Sequence, residues 1–133
     1  MVFIDTGAWF DMLVPWAANH RQAIAYLGSS SGRFITTDYV VDELLTLLRV
    51  RGEYVAAKRF IDETIGAPEL SLVHIDAGLF RRGLEVFRAF ADKQWSFTDC
   101  VSYAVIEAYR IETAFAFDHH FRQFGICRVV PEI

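Results

Sequence analysis

Two acidic side chains stand where apolar, strand-like segments end. Asp5 follows the apolar run 2–4, and Asp118 follows the run 113–117. In open α/β sheets, ligands bind beyond the carboxyl ends of the strands, at the point where the winding direction reverses. A strand order of 3-2-1-4-5 would make the two strands neighbours at that point, so both carboxylates would share one crevice.

Two further acids lie in helical patterns. Glu43 shares a helical stripe with Val40 and Leu47, and a carboxylate on an apolar face requires a partner. Asp99 begins a pattern whose later residues, 100–108, supply a buried side. Both side chains are expected near the carboxyl edge of the sheet.

Four carboxylates in one crevice would repel one another and raise one another's pKa values unless cations neutralised them. A set of oxygen ligands without Cys or His favours the hard ions Mg²⁺ or Mn²⁺ over zinc. Such acid clusters suit hydrolysis of phosphodiester bonds. The four acids Asp5, Glu43, Asp99 and Asp118 therefore form the predicted metal-binding and catalytic set.

Each acid also has a purely structural explanation. Asp5 and Asp118 could be turn or N-cap residues, and Asp99 could complete an S-x-x-D capping box with Ser96. Glu43 lies mid-helix, so only a buried ion pair with an Arg would explain it structurally. Four separate structural explanations are together less convincing than one shared role, so the four acids favour the functional interpretation.

Short apolar runs alternate with helical patterns along the chain, which is typical of a single α/β domain with a largely parallel sheet, here predicted over residues 1–133. Five strands are predicted at residues 2–5, 33–36, 72–75, 113–117 and 127–130. Helices are predicted at residues 8–13, 20–27, 39–50, 54–65, 77–91, 99–109 and 120–124.

Four segments, each centred on one of these acids, resemble PIN-domain proteins, especially VapC-type toxin ribonucleases. The segments are FIDTGAW at 3–9, TTDYVVDEL at 36–44, WSFTDC at 95–100 and AFDHHF at 116–121. They occur in the family's order and span nearly the whole chain. Position 38 departs from many relatives, which carry Asn; Asp38 adds negative charge near the pocket if it points inward.

The resemblance implies an α/β/α sandwich around a parallel sheet and a metal-dependent endoribonuclease. Asp5 and Asp99 would be central ligands, with Glu43 and Asp118 completing the site, and Thr6 and Thr98 would orient the carboxylates. Water activated at the cluster would attack the phosphate, leaving 5′-phosphate ends. A cognate antitoxin and a homodimer are further implied partners.

The composition argues against several other classes of protein. A net charge of −4 argues against a broad basic surface for nucleic acid, so RNA contact is expected to be local. Cys100 and Cys127 lack the spacing of a redox or zinc motif. Without a recognisable signal peptide or a long apolar stretch, the expectation is a cytoplasmic protein without membrane contact.

Three alternatives remain open on the sequence. A receiver-like signalling domain also binds Mg²⁺ in an acidic crevice, but it requires adjacent acids after the first strand, where only Asp5 stands. A PIN scaffold that binds RNA or protein without cleavage is the second alternative. The third keeps the chemistry, as an RNA-processing nuclease that is not a toxin.

Five other side chains are given structural roles by their patterns. His119 and His120 are predicted to lie exposed on a short helix, and His74 to be a satisfied histidine on a strand. Trp9 and Trp95 flank the acidic motifs, and packing in a core or interface explains them better than stacking on bases.

Overall fold

Strands and helices alternate in the structure, a computed structural model that describes residues 1–30 and 32–132. Residues 31 and 133 of the predicted domain lie outside the described residues. The strands are β1 (Val2–Ile4), β2 (Phe34–Thr37), β3 (Leu70–Val73), β4 (Thr113–Phe115) and β5 (Arg128–Val130). The α-helices are α1 (Thr6–Leu13), α2 (His20–Ser29), α3 (Asp38–Val50), α4 (Tyr54–Arg59), α5 (Ala77–Ala89), α6 (Phe97–Ala108) and α7 (His119–Arg122).

The strands form one sheet in the order β3-β2-β1-β4-β5, and every neighbouring pair is parallel. This confirms the predicted order. Phe3 in β1 pairs with Ile35 on one side and Ala114 on the other. The Asp5 N–H continues the ladder by donating to the Phe115 carbonyl at 3.1 Å. The carboxyl ends of β1 and β4 therefore lie side by side.

The central strand β1 is buried on both faces, since all three of its residues are buried. Consecutive apolar residues are what a parallel strand needs when helices cover both sides of the sheet. Phe3, Ile4 and Phe115 are fully buried, and Leu44 of α3 and Phe121 of α7 join the same core. This packing holds the carboxyl edge of the sheet in place.

Close packing of α5 on α6 positions the segment between them. A Cβ on Gly83 would come 3.0 Å from the Val101 side chain, so a glycine permits the two helices to approach at this point. The connecting segment is anchored by Trp95, which is buried and whose indole N–H donates to the Gln123 side chain at 2.8 Å. Packing is thus the role of Trp95, and Trp9 is equally buried.

The third strand lies two residues earlier than predicted, at Leu70–Val73 instead of 72–75. After Val73 the chain leaves the sheet, and the Ile75 N–H donates to the Asp38 carboxylate at 3.2 Å instead of to a neighbouring strand. His74 is consequently exposed beyond the strand, with its ring 3.4 Å from the same carboxylate, so its predicted place on a strand was wrong. Asp38 points toward this segment and does not line the acidic pocket.

All seven helices differ from the predicted bounds by at least one residue at one end, and two of these differences are informative. The helix predicted over 54–65 is α-helical only to Arg59, and Phe60–Thr64 forms a π-helical segment that carries the fully buried Phe60. The helix predicted from residue 99 begins two residues earlier, at Phe97, because Ser96 caps it. Helical periodicity shows which residues face the core, but not where capping hydrogen bonds start the first turn.

Hydrophobic residues make up 53% of the chain, and some of the large ones are exposed. Trp16, Val50 and Val55 are among the exposed large side chains, and they lie near the carboxyl end of α3 and the start of α4. Surface of this kind is available for contact with another chain. None of the helices in residues 1–30 and 32–132 has the length and apolar content needed to cross a bilayer.

Candidate metal centre

Asp5 and Asp118 follow the two central strands. Asp5 occupies the N-cap position of α1 but makes no side-chain capping bond, and its Oδ1 is buried without a hydrogen-bond partner among the described residues. Asp118 caps α7 by accepting the His120 N–H at 2.9 Å, while its side chain stays partly exposed. Capping therefore accounts for Asp118 in part and leaves Asp5 unexplained.

Asp99 reaches the same place from the first turn of α6. A capping box is present: the Asp99 N–H donates to Ser96 Oγ at 3.1 Å, and Asp99 Oδ2 accepts the Ser96 N–H at 3.1 Å. The capping explanation is thus correct for Asp99, yet the side chain also lines the pocket and is only 5% exposed. One carboxylate serves both purposes.

Glu43 completes the group from the second turn of α3. Its predicted alternative, an ion pair with an Arg, is not formed among the described residues, where no basic side chain lies within 4 Å of its carboxylate. All four acids line one open cavity of about 310 Å³. Its lining residues are Asp5, Thr6, Gly7, Glu43, Leu47, Gln94, Ser96, Asp99, Asp118 and His120.

Burial and the negative charges of neighbouring carboxylates raise the pKa of the two innermost acids, Asp5 and Asp99. Burial, followed by the nearby charges of Asp99, Asp118 and Glu43, raises the pKa of Asp5 well above its usual value, against a weaker opposing effect of the Thr6 backbone N–H. Burial also raises the pKa of Asp99, against the Ser96 N–H and His120. A cation in the pocket would offset both effects and favour the ionised carboxylates.

His120 is a pocket residue that the sequence pattern placed on the surface. Its ring is only 18% exposed, and its Nδ1 lies 3.2 Å from Asp99 Oδ2 and 3.5 Å from Asp118 Oδ2. The predicted exposure was wrong for His120 and correct for His119, whose side chain is 77% exposed. The helix α7 that carries both histidines is only four residues long, so helical periodicity in the sequence could not separate the shielded ring from the exposed one.

The two threonines occupy different positions. Thr6 lines the pocket, and its buried Oγ1 has no hydrogen-bond partner among the described residues. Thr98 is half-buried in the first turn of α6 and is not among the residues that line the pocket. Only the Thr6 hydroxyl is thus placed beside the acids.

The pocket suits a divalent cation. Asp5 Oδ1 and Thr6 Oγ1 are buried oxygens without partners, and such groups are costly unless something occupies the space between them. Asp118, His119 and His120 can also bring one ligand atom each within 4.8 Å of one another. The three residues are consecutive in sequence at the start of α7, and His119 is exposed, so their proximity follows from the local chain. The buried acids, whose negative charges are close together, are the stronger reason to expect a cation.

Comparison with known proteins agrees with this geometry. The PIN domain model matches residues 2–126. The 23S rRNA-specific endonuclease VapC20 of Mycobacterium tuberculosis is 31% identical over 136 residues, covering 99% of this chain and all of that protein. The VapC ribonuclease of Archaeoglobus fulgidus is 29% identical over 114 residues, which cover 82% of this chain and 72% of that one.

Solved structures give the same result. The crystal structure of Mycobacterium tuberculosis VapC20, described as a sarcin-ricin loop cleaving toxin, superposes with a TM-score of 0.90 and 26% identity. The superposition covers 97% of this chain and 98% of that one. With the family model spanning nearly the whole sequence, the chain belongs to the PIN-domain family, among the VapC-type ribonucleases.

Proposed function

We propose that this chain is a divalent-metal-dependent endoribonuclease and that its active site is the acidic pocket at the carboxyl ends of β1 and β4. One observation carries the proposal. Asp5 and Asp99 are buried together beside Glu43 and Asp118, and burial with mutual repulsion raises the pKa of both inner acids. A fold maintains so unfavourable a cluster where it has a cation to bind.

Mg²⁺ or Mn²⁺ is the proposed ion, because the four acids offer oxygen ligands. Asp5 and Asp99 would be the central ligands, and Glu43 and Asp118 would complete the site directly or through water. When bound, the cation supplies an activated water and stabilises the negative charge that develops on the attacked phosphate.

The remaining pocket residues are proposed to position these acids. The Ser96 N–H and the His120 ring both contact Asp99 Oδ2, which leaves the other oxygen of that carboxylate available to a cation. Thr6 Oγ1 is available to orient Asp5 or a bound water. The role predicted for Thr98 has less support, since its side chain does not line the pocket.

We infer the substrate from the relatives. The 31% identical protein is named as specific for 23S rRNA, and the superposed structure as a toxin that cleaves the sarcin-ricin loop. A large-subunit rRNA loop is therefore the proposed target, and a toxin of a toxin-antitoxin pair the proposed biological role. An unpaired loop also fits an acidic chain whose contacts with RNA are local.

The test is cleavage of an end-labelled rRNA loop by the purified chain in Mn²⁺, in Mg²⁺ and in EDTA. We expect cleavage only with metal and 5′-phosphate ends, because activated water, and not the neighbouring 2′-hydroxyl, attacks the phosphate. Products with 2′,3′-cyclic phosphate would contradict this mechanism. Stable RNA binding without cleavage in either metal would favour the binding-module alternative.

Two protein partners are also proposed, a cognate antitoxin that covers the pocket and a second copy of this chain. The exposed apolar side chains near α4 offer surface for such contacts. A neighbouring reading frame whose product copurifies with this chain and blocks cleavage would support the first. A clean monomer by light scattering would contradict the second.

Replacing His120 by Ala is expected to lower metal-dependent cleavage by about tenfold to a hundredfold, the usual effect of losing a group that orients a metal ligand. The matched control is His119→Ala, which removes the neighbouring exposed ring and should leave the rate nearly unchanged. Binding of Mn²⁺, followed by calorimetry, should weaken in the first variant only. Equal rates and equal Mn²⁺ binding in both variants would show that His120 has no positioning role.

A further inference from the structure

A second cavity adjoins the acidic pocket, on the other side of the segment that joins α5 to α6. It has a volume of about 590 Å³, within the usual size of small-molecule sites. Gln94 lines both cavities. A group in the second cavity would therefore lie one side chain away from the acids.

Aromatic side chains form part of its wall. The rings of Phe90 and Trp95 have centroids 4.6 Å apart, and Trp95 is fixed by its hydrogen bond to Gln123. Phe87 stands at the end of α5 with 55% of its surface exposed, although it lines this cavity. An exposed ring beside rigid ones is a surface on which a planar group can stack.

The polar part of the wall is cationic. Arg88 lines the cavity, and among the described residues no carboxylate lies within 4 Å of its guanidinium. Lys93 is the second cation, with Asp92 at 3.3 Å from its ammonium. In a chain with a net charge of −4, cations beside an acidic pocket favour a ligand that carries phosphate.

From this arrangement we propose that the cavity holds an unpaired purine base of the RNA, next to the scissile phosphate. The inference rests on the ribonuclease function proposed above and adds a site for substrate specificity. Unpaired bases are recognised by stacking on aromatic rings and by hydrogen bonds to their edges. Arg pairs with the O6 and N7 of guanine, and Gln with the N6 and N7 of adenine, so Arg88 and Gln94 both favour a purine.

The test uses the full chain, a fluorescent rRNA-loop oligonucleotide and three variants. Phe87→Ala and Arg88→Ala remove an aromatic and a cationic wall, whereas Arg81→Ala removes an exposed Arg of the same helix that does not line the cavity. We expect the first two to weaken RNA binding, measured by anisotropy in EDTA, by about tenfold. They should raise KM for cleavage in Mn²⁺ similarly, with little change in kcat.

A second set of oligonucleotides carries an abasic site at each position flanking the cleaved bond. At one of these positions, we expect the abasic site to weaken binding by wild type. The same abasic site should cause no further loss of affinity in Phe87→Ala, because the base and the ring act as a pair. Equal binding by Phe87→Ala, Arg88→Ala and Arg81→Ala overturns the proposal. If wild type cleaves no RNA, the proposed function fails, and the anisotropy comparison still decides whether the cavity binds a base.

Discussion

Replacing Asp99 by Asn is expected to reduce metal-dependent RNA cleavage by roughly a thousandfold or more while the chain stays folded. An Asn side chain keeps an oxygen that can accept the Ser96 N–H, so the capping box of α6 survives. What disappears is the negative charge that the cation requires. The measurement is the initial rate of cleavage of the rRNA loop in Mn²⁺, with thermal unfolding as the test of folding.

The matched control is Asp11→Asn. Asp11 is also a buried Asp with a pKa raised by burial, but it lies outside the pocket and accepts a hydrogen bond from Asn19 at 3.2 Å. Its replacement should leave cleavage within about twofold of wild type, as expected for a site distant from the reacting groups. Equal cleavage by both variants would place the active site elsewhere or identify a contaminating nuclease.

The second large effect concerns stability in the absence of metal. Asp5→Asn is expected to raise the free energy of unfolding in EDTA at neutral pH by about 0.5 to 2 kcal/mol, because active-site charges are kept at a cost in stability. Burial and the charges of Asp99, Asp118 and Glu43 disfavour the ionised Asp5 carboxylate, and an amide has no such charge. Chemical denaturation of the metal-free chains measures the difference.

The direction of the pH dependence follows from the raised pKa of Asp5 and Asp99. Above about pH 4, where an Asp of the unfolded chain ionises, the folded chain retains more protons than the unfolded chain. The contribution of Asp5 and Asp99 to the stability of the metal-free protein should therefore be greatest below that pH and fall as the pH rises toward the raised values. Asp5→Asn should show a smaller decline, and an identical decline would contradict this account.

Adding Mn²⁺ or Mg²⁺ should reverse the difference in stability between wild type and Asp5→Asn. A cation that binds only the folded chain stabilises it, by about 2.7 kcal/mol at a hundred times its Kd. Wild type and Asp11→Asn should gain this stability, whereas Asp5→Asn should gain little. An equal gain in Asp5→Asn would mean that the ion binds elsewhere.

The order of the sheet and the convergence of the acids could be predicted because both depend on long-range rules. Asp5 and Asp118 meet because parallel strands present their carboxyl ends at one edge, and no local detail of the turns alters that. Glu43 was identified by its position on an apolar helical stripe. Both features depend on the type of residue and on the spacing of apolar residues, and these can be read directly from a sequence.

Local hydrogen bonds decided what could not be predicted. The third strand ends at Val73 because Asp38 takes the Ile75 N–H, a contact between residues 37 positions apart. His120 is only partly exposed because it is the second residue of the short helix α7, and its ring contacts the Asp99 carboxylate of α6. Neither contact produces a repeating pattern of residue types from which it could have been predicted.

The pairing of β1 with β4 also has a consequence for the protein during its synthesis on the ribosome. Chains emerge from the ribosome with the amino terminus first, and contacts between distant segments form last. Asp5 is made early, but its partner Asp118 follows a strand that begins at Thr113. The proposed active site therefore cannot form until residue 118 and the strand before it have been synthesised, so a shorter nascent chain that already contains Asp5 lacks the paired carboxylates.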